Sequence, residues 1–368
     1  MKTNFVDQML ELAIQIQQVP APTHNEYLRA EFVKQKFIEE AGSVLTQIQV
    51  DFAGNVLACL PGKGNGQPLV ISAHMDTVFP LETPLAYTRS QGKIFGPGIG
   101  DNSLGVAALF GVLWSLRERG IQTDGDIWFV ANVCEEGLGD LRGMKALVER
   151  FGSTPIVYLV LEGMSLGHIY HKAIGVRRYL ISIRTGGGHS WADFGKPSAV
   201  HELAGLIDGI TSIQPAAHPH TTYNVGRIGG GTSINTIAAE AWMELDLRSE
   251  GREALDQLYS QVMSLVESRR REGVDLEMKP IGWRPPGEIS VDHPIIRLAE
   301  SCLYEQGLLP VMTMGSTDAN VPLSQGYPAL VLGLTRGGGA HTINEYIETG
   351  QVDLGLEHIV QFVSRLWN

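Results

Sequence analysis

Leu69-Val-Ile-Ser-Ala-His74-Met-Asp76-Thr-Val78 is the stretch from which the rest of the chain is read. A short apolar run leads straight into a histidine and an aspartate. It reads as a buried strand carrying polar groups to its carboxyl end, where open α/β sheets place their sites. In an extended chain, positions two apart share a face. His74 could therefore bind a metal while Asp76 orients its imidazole. Taken alone, the pair reads equally as two hydrogen-bonded structural residues.

Working outward, strands alternate with helices. Helices are expected from Met9 to Gln18, Tyr27 to Ala41, Ser103 to Arg119 and Met144 to Phe151. Strands are expected from Val44 to Val50, Asn55 to Leu60, Asp126 to Val133 and Ile156 to Leu161. This alternation implies an α/β layer with buried strands. The order then changes to strand (Ile174 to Arg184), helix (Ser198 to Ile213), two strands (Tyr223 to Ile228, Ala238 to Arg248), helix (Arg252 to Arg271) and strand (Val274 to Lys279). That β-α-β-β-α-β order is the split layout of a ferredoxin-like sandwich. After a breaker at Trp283-Arg-Pro-Pro-Gly287 the α/β signature returns, with a helix from His293 to Gln306, a strand from Ala329 to Leu334 and a helix from Leu354 to Leu366. The expected organisation is a small domain, 175–284, inserted into a larger one made of 1–174 and 285–368. At 368 residues, two domains are also the prior from length.

With 43% hydrophobic and 18% charged residues, the chain can bury substantial cores. A net charge of -12 argues against nucleic acid as a partner, because phosphate binding needs a basic face. Cys59, Cys134 and Cys302 are scattered and odd in number, which fits a reducing compartment better than a disulfide framework. The stretch 1–19 lacks the charge and hydropathy order of a signal peptide. No apolar run approaching about 20 residues is evident, so no membrane partner is expected. The expected location is cytoplasmic.

Four further clusters carry candidate chemistry. Gly96-Pro-Gly-Ile-Gly-Asp101-Asn102 opens a helix, where an aspartate is commonly an N-cap; its glycines match no phosphate loop. Ile127-Trp-Phe-Val-Ala-Asn-Val-Cys-Glu135-Glu136-Gly137 ends an apolar run in two carboxylates. Such a pair needs a nearby cation unless it lies in a surface turn. If strand geometry persists, the two side chains point different ways, one to a metal and the other to proton transfer. Val157-Tyr-Leu-Val-Leu-Glu162-Gly163 repeats the strand-to-carboxylate pattern, and Thr335-Arg-Gly-Gly-Gly-Ala-His341-Thr-Ile-Asn-Glu345 adds a late histidine. Two histidines and three carboxylates can hold two divalent ions; zinc is the default, with cobalt or manganese as alternatives. His168 and His171 read as ordinary polar positions of a strand. His201-Glu202 lacks the second histidine of a zinc helix.

In order, His74-Met-Asp76, Gly100-Asp101, Glu135-Glu136-Gly137, Glu162-Gly163 and His341 resemble the motifs of the co-catalytic zinc exopeptidase and aminoacylase family. The resemblance covers nearly the whole chain. It implies a zinc-exopeptidase-like catalytic domain, with a mixed sheet flanked by helices, and an inserted ferredoxin-like α+β lid that mediates dimerisation. It makes His74 and Glu162 ligands of one metal, Glu136 and His341 ligands of the other, and Asp101 their bridge. Glu135 falls on the general base and Asp76 on the carboxylate supporting the first histidine. In the lid, His189 and Asn235 fall on substrate-contacting positions, and Arg248 on an arginine that holds a substrate carboxylate. The implied reaction is amide hydrolysis of small peptides, by an exopeptidase of dipeptidase, tripeptidase or carboxypeptidase type. An N-acyl amino acid deacylase is the alternative, and a non-catalytic metal-binding protein a remote one. His189-Ser-Trp-Ala-Asp-Phe-Gly and Gly315-Ser-Thr-Asp-Ala-Asn320 are worded most like peptidase T members. Those members carry Asp at the position of Glu162, and this departure leans toward the carboxypeptidase and deacylase branches.

Overall fold

A run of consecutive β-branched and aliphatic residues has no polar face to offer water, so it forms a strand only where both faces are covered. Leu69–His74, Ile127–Asn132 and Ala329–Gly333 are such runs, and every residue in them is buried. Val157–Glu162 is buried up to its final glutamate. In the computed structural model, which describes residues 5–41 and 44–367, these four strands lie side by side and parallel. The order is Ile127–Asn132, Leu69–His74, Val157–Glu162, Ala329–Gly333. Parallel strands need crossovers: the helix Leu104–Glu118 joins the neighbours Leu69–His74 and Ile127–Asn132, and Arg142–Phe151 leads from Ile127–Asn132 past Leu69–His74 to Val157–Glu162. Antiparallel strands widen the sheet on both sides: Thr46–Val50 and Val56–Leu60 at one edge, His168–Ala173 at the other. The sheet is therefore mixed, with the carboxyl ends of its four central strands on one side.

The helix Leu104–Glu118 is apolar all round, and each residue from Leu104 to Leu116 is buried. With the preceding turn, Ile99–Glu118 is long and apolar enough to cross a membrane, contrary to the expectation that no run approaches that length. Here it is a core helix, packed against the sheet and the helices Phe5–Gln17 and Val352–Arg365.

The chain divides into two compact units, Met1–Ala173 with Gly287–Asn368, and Ile174–Pro286. The second unit has its own core. Its antiparallel sheet runs Thr221–Gly230, Glu240–Ser249, Gly175–Thr185, Val274–Arg284, the order 2-3-1-4 of a ferredoxin-like sandwich. Along Glu240–Ser249 the residues Ala241, Met243, Leu245 and Leu247 alternate inward, toward the helices Ala199–Thr211 and Arg252–Ser268. The expected breaker at 283–287 is narrower than its wording. Trp283 and Arg284 still pair with Arg177 and Val176 in the second unit's sheet, and Gly287 pairs with Ala173 in the first unit's sheet, so only Pro285-Pro286 lie between the two pairings.

A candidate metal centre

His74 closes its strand. Its Nδ1 lies 3.1 Å from the main-chain oxygen of Asp76 and 3.6 Å from the Asp76 carboxylate. In the neutral ring this holds the proton on Nδ1 and leaves Nε2 for a cation. Nε2 lies 3.1 Å from Asp101 Oδ1 and 3.8 Å from Glu162 Oε2. The strand stops at His74, so the two residues do not share a strand face, yet the Asp76 carboxylate still lies beside the His74 ring. It also accepts the backbone N–H of Glu135 and of Glu136, each at 2.9 Å, and the hydroxyl of Thr23 at 2.9 Å. It is buried, and it ties the imidazole to the acidic turn beside it.

Strand geometry does not persist through Glu135 and Glu136 either. The strand ends at Asn132, and Cys134 turns the chain with φ +59°. Buried N–H groups in such a turn need acceptors, and distant side chains provide them. Asn55 accepts from Val133, Glu26 from Cys134, and Asp76 from Glu135 and Glu136. Both glutamates are buried and stand with His74, one ligand atom from each lying within 4.8 Å of the others.

Asp101 is expected at a helix start. It lies in a wider turn, Ile99–Ser103, with non-helical backbone and a cis peptide to Asn102. Asn102 ties this turn to the end of the Glu162 strand, accepting from Gly163 N–H and donating to the Leu161 carbonyl, both at 2.8 Å. The approach requires glycine at 163, because a Cβ there would meet the Gly100 oxygen at 2.3 Å. A small sheet then brings in the last histidine. Lys93–Phe95 pairs with Tyr346–Glu348, which pairs with Gly337–Gly338, so the loop bearing His341 hangs beside the loop bearing Asp101. His341 Nε2 lies 3.1 Å from Asp101 Oδ2 and 3.2 Å from Glu136 Oε1.

One oxygen of Asp101 thus faces each imidazole. Two donor groups result, His74–Asp101–Glu162 and Asp101–Glu136–His341, and they share Asp101. Nitrogen and carboxylate oxygen in this arrangement fit two divalent ions with one bridging carboxylate. His168 and His171 are outside these groups; His171 Nδ1 meets the Ile289 carbonyl at 3.0 Å.

The electrostatics are those of a site built for cations. Burial opposes a charge on His74, yet Asp101, Asp76, Glu162 and Glu135 hold its pKa well above the usual value. Hydrogen bonds to Asp101 and Glu136 raise His341 to about 10. Burial works to raise Asp101, but His341 and His74 outweigh it and keep the carboxyl well below its usual range. Glu162 is pushed well up by burial and by the neighbouring Asp101, Glu135 and Asp318, against the pull of His74.

Several residues of this centre carry no sequence signal of their own. Glu345 is buried and accepts three backbone N–H groups of the Asp101 loop. Burial and Asp101 raise it to about 7. Asp318, also buried, accepts from Asn132 at 2.7 Å, at the end of the strand that pairs with His74. Both stand in quoted stretches, but a carboxylate in a loop looks the same in sequence whether it is solvated or buried.

The three remaining predicted residues lie in the second unit. Gly188–His189 pairs with Thr236–Ile237, which sets His189 beside Asn235. His189 Nδ1 accepts from Trp191 and Ala192 N–H, leaving Nε2–H as a donor. Asn235 accepts from the Ser233 hydroxyl at 2.7 Å. Arg248, expected as a carboxylate anchor, has its Nε on the Asp246 carboxylate at 2.6 Å.

A family model described as Peptidase family M20/M25/M40 matches residues 70–365. Carboxypeptidase G2 of Pseudomonas sp. (strain RS-16) is 27% identical over 315 residues, spanning 81% of this chain and 73% of that protein. Acetylornithine deacetylase of Shigella sonnei (strain Ss046) is 27% identical over 333 residues, 84% of this chain and 82% of the other. A tripeptidase from Staphylococcus aureus shares the fold, with a TM-score of 0.82, 22% identity and 98% of each chain covered.

Proposed function

The chain belongs to peptidase family M20/M25/M40 and is a metal-dependent hydrolase of amide bonds, and from that premise we propose that it is an exopeptidase of small peptides with Glu135 as its general base. The observation that carries this reading is the pair of donor groups sharing Asp101, with Glu135 buried beside them. His74 and Glu162 would hold one ion, Glu136 and His341 the other, and Asp101 would bridge. When bound, the ions supply Lewis acidity, lowering the pKa of water and polarising a carbonyl.

The chain's own groups do the rest. Glu135 accepts the proton of the attacking water and returns a proton to the leaving nitrogen. Asp76 fixes the backbone of both Glu135 and Glu136, so base and ligand keep their spacing. Burial of Glu135 keeps bulk water from competing for that proton. The N-acyl amino acid deacylase reading stands second, favoured by the similarity to acetylornithine deacetylase.

Finer points belong to the same proposal. Zinc suits the nitrogen and carboxylate donors. Three buried free thiols suit a reducing cytoplasm. Thr221–Gly230, an edge strand of the second unit carrying the exposed Ile228, suits a homodimer contact.

Glu135→Gln is the direct test. It is expected to keep two ions per chain by elemental analysis while turnover falls by about 100-fold or more; full activity would remove the assigned base. Peptides blocked at either end and N-acyl amino acids, screened by mass spectrometry, test the substrate. Hydrolysis is expected to require a free carboxyl end; a strict requirement for a free amino end would sink that assignment.

A further inference from the structure

We propose that Glu345 is a positioning residue of this centre, whose carboxylate fixes the Asp101 loop so that Asp101 spans both imidazoles. The inference rests on the two-ion reading above. Glu345 Oε2 accepts from Gly98 N–H at 3.0 Å, and Oε1 from Gly100 N–H at 2.7 Å and Asp101 N–H at 2.8 Å. Its main-chain oxygen accepts a fourth bond, from Gly96 N–H at 2.9 Å. A single residue, fully buried and more than 240 positions away in sequence, thereby takes four N–H groups of the segment that ends in Asp101.

The chemistry explains why the residue is acidic. Buried N–H groups in a turn need acceptors, and here those of Gly98, Gly100 and Asp101 point into protein rather than water. An amide side chain would match its oxygen to Gly100 and Asp101 but would set its own N–H2 against Gly98 N–H. Only a carboxylate presents two acceptor oxygens and no donor. The same residue ends the loop that carries His341. A displacement of Glu345 would therefore move the bridging carboxylate and one histidine of the second donor group together. Asp76 plays the matching part for Glu135 and Glu136, so the ligand-bearing backbone is held by buried carboxylates at both ends of the centre.

The test compares wild type, Glu345→Gln and Glu345→Ala as full chains stripped by a chelator. Each is titrated with Zn2+ against a chromophoric competitor, and with Co2+ while its visible spectrum is recorded. Glu345→Gln is expected to keep its circular dichroism, to bind both ions about 10- to 100-fold more weakly, and to shift the Co2+ bands. Its kcat should fall with KM nearly unchanged, and Glu345→Ala should weaken binding further. Wild-type affinity and spectrum in Glu345→Gln would overturn the proposal, whatever the melting temperature. Loss of folded signal in that shape-preserving variant would overturn it too, by making Glu345 a residue of folding. A wild-type chain that binds no divalent ion would instead overturn the two-ion reading, and this proposal with it.

Discussion

At the two imidazoles, protons and metal ions compete for the same nitrogens. His341 is raised to about 10 by Asp101 and Glu136, and His74 well above its usual value, mainly by Asp101 and Asp76 against burial. With ions removed, these neighbours favour the protonated form of both rings. A folded pKa above the unfolded value of about 6.5 contributes stability that is complete below 6.5 and lost as pH rises through the folded pKa. The stripped protein should therefore lose the His341 part of this stabilisation as pH rises from about 6.5 to 10, read from urea midpoints across that range. Metal binding at pH 7 should release about two protons per chain, one from each ring. Calorimetry in buffers of different ionisation enthalpy measures that number. No release would mean that the rings are neutral before metal arrives.

Elements meet at this centre through close backbone contacts. Gly163 passes so near Gly100 that a methyl group would force the Glu162 strand end and the Asp101 turn apart. Gly163→Ala is expected to cost about 1–3 kcal/mol by overpacking and to weaken metal binding as well. Gly120→Ala is a useful contrast, since that glycine ends the core helix in open space with φ +61°. It should cost stability through backbone strain alone and leave metal affinity unchanged. Denaturant midpoints and a Zn2+ titration on each variant separate the two effects; equal metal affinity in Gly163→Ala would remove the argument from close approach. The strands that bring His341 to Asp101 are two or three residues long. Such pieces are too short to show a period of two, so they leave no trace in the hydropathy pattern.

Across the whole molecule there are two cores, and each is expected to melt as its own body. Every residue assigned to the metal centre lies in the first unit, whereas Ile174–Pro286 is held by its own sheet and helices. A ligand that binds only the native state stabilises it by about 4 kcal/mol at 1,000 times its Kd. Scanning calorimetry with and without a chelator should therefore shift the transition of the larger unit and leave that of 174–286 in place. A single transition that moves as one would show that the two units unfold together.

The long elements were legible because burial on both faces, or on one stripe, leaves a pattern that no distant residue can rewrite. Val157–Glu162, Ala199–Thr211 and Arg252–Ser268 all sit within a few residues of where periodicity puts them. The sequence by itself also determined the donor chemistry, since a histidine or carboxylate at the end of an apolar run is a local feature; the division of labour among those residues came from family resemblance. Tertiary structure alone decided the geometry. It split Asp101 between His74 and His341, set Asp76 between its histidine and the Glu135–Glu136 backbone, and buried Glu345 under the Asp101 loop. The physical reason is range. A side chain reveals its hydropathy where it stands, but the partner of a buried carboxylate is fixed by backbone N–H groups that the fold alone brings within 3 Å.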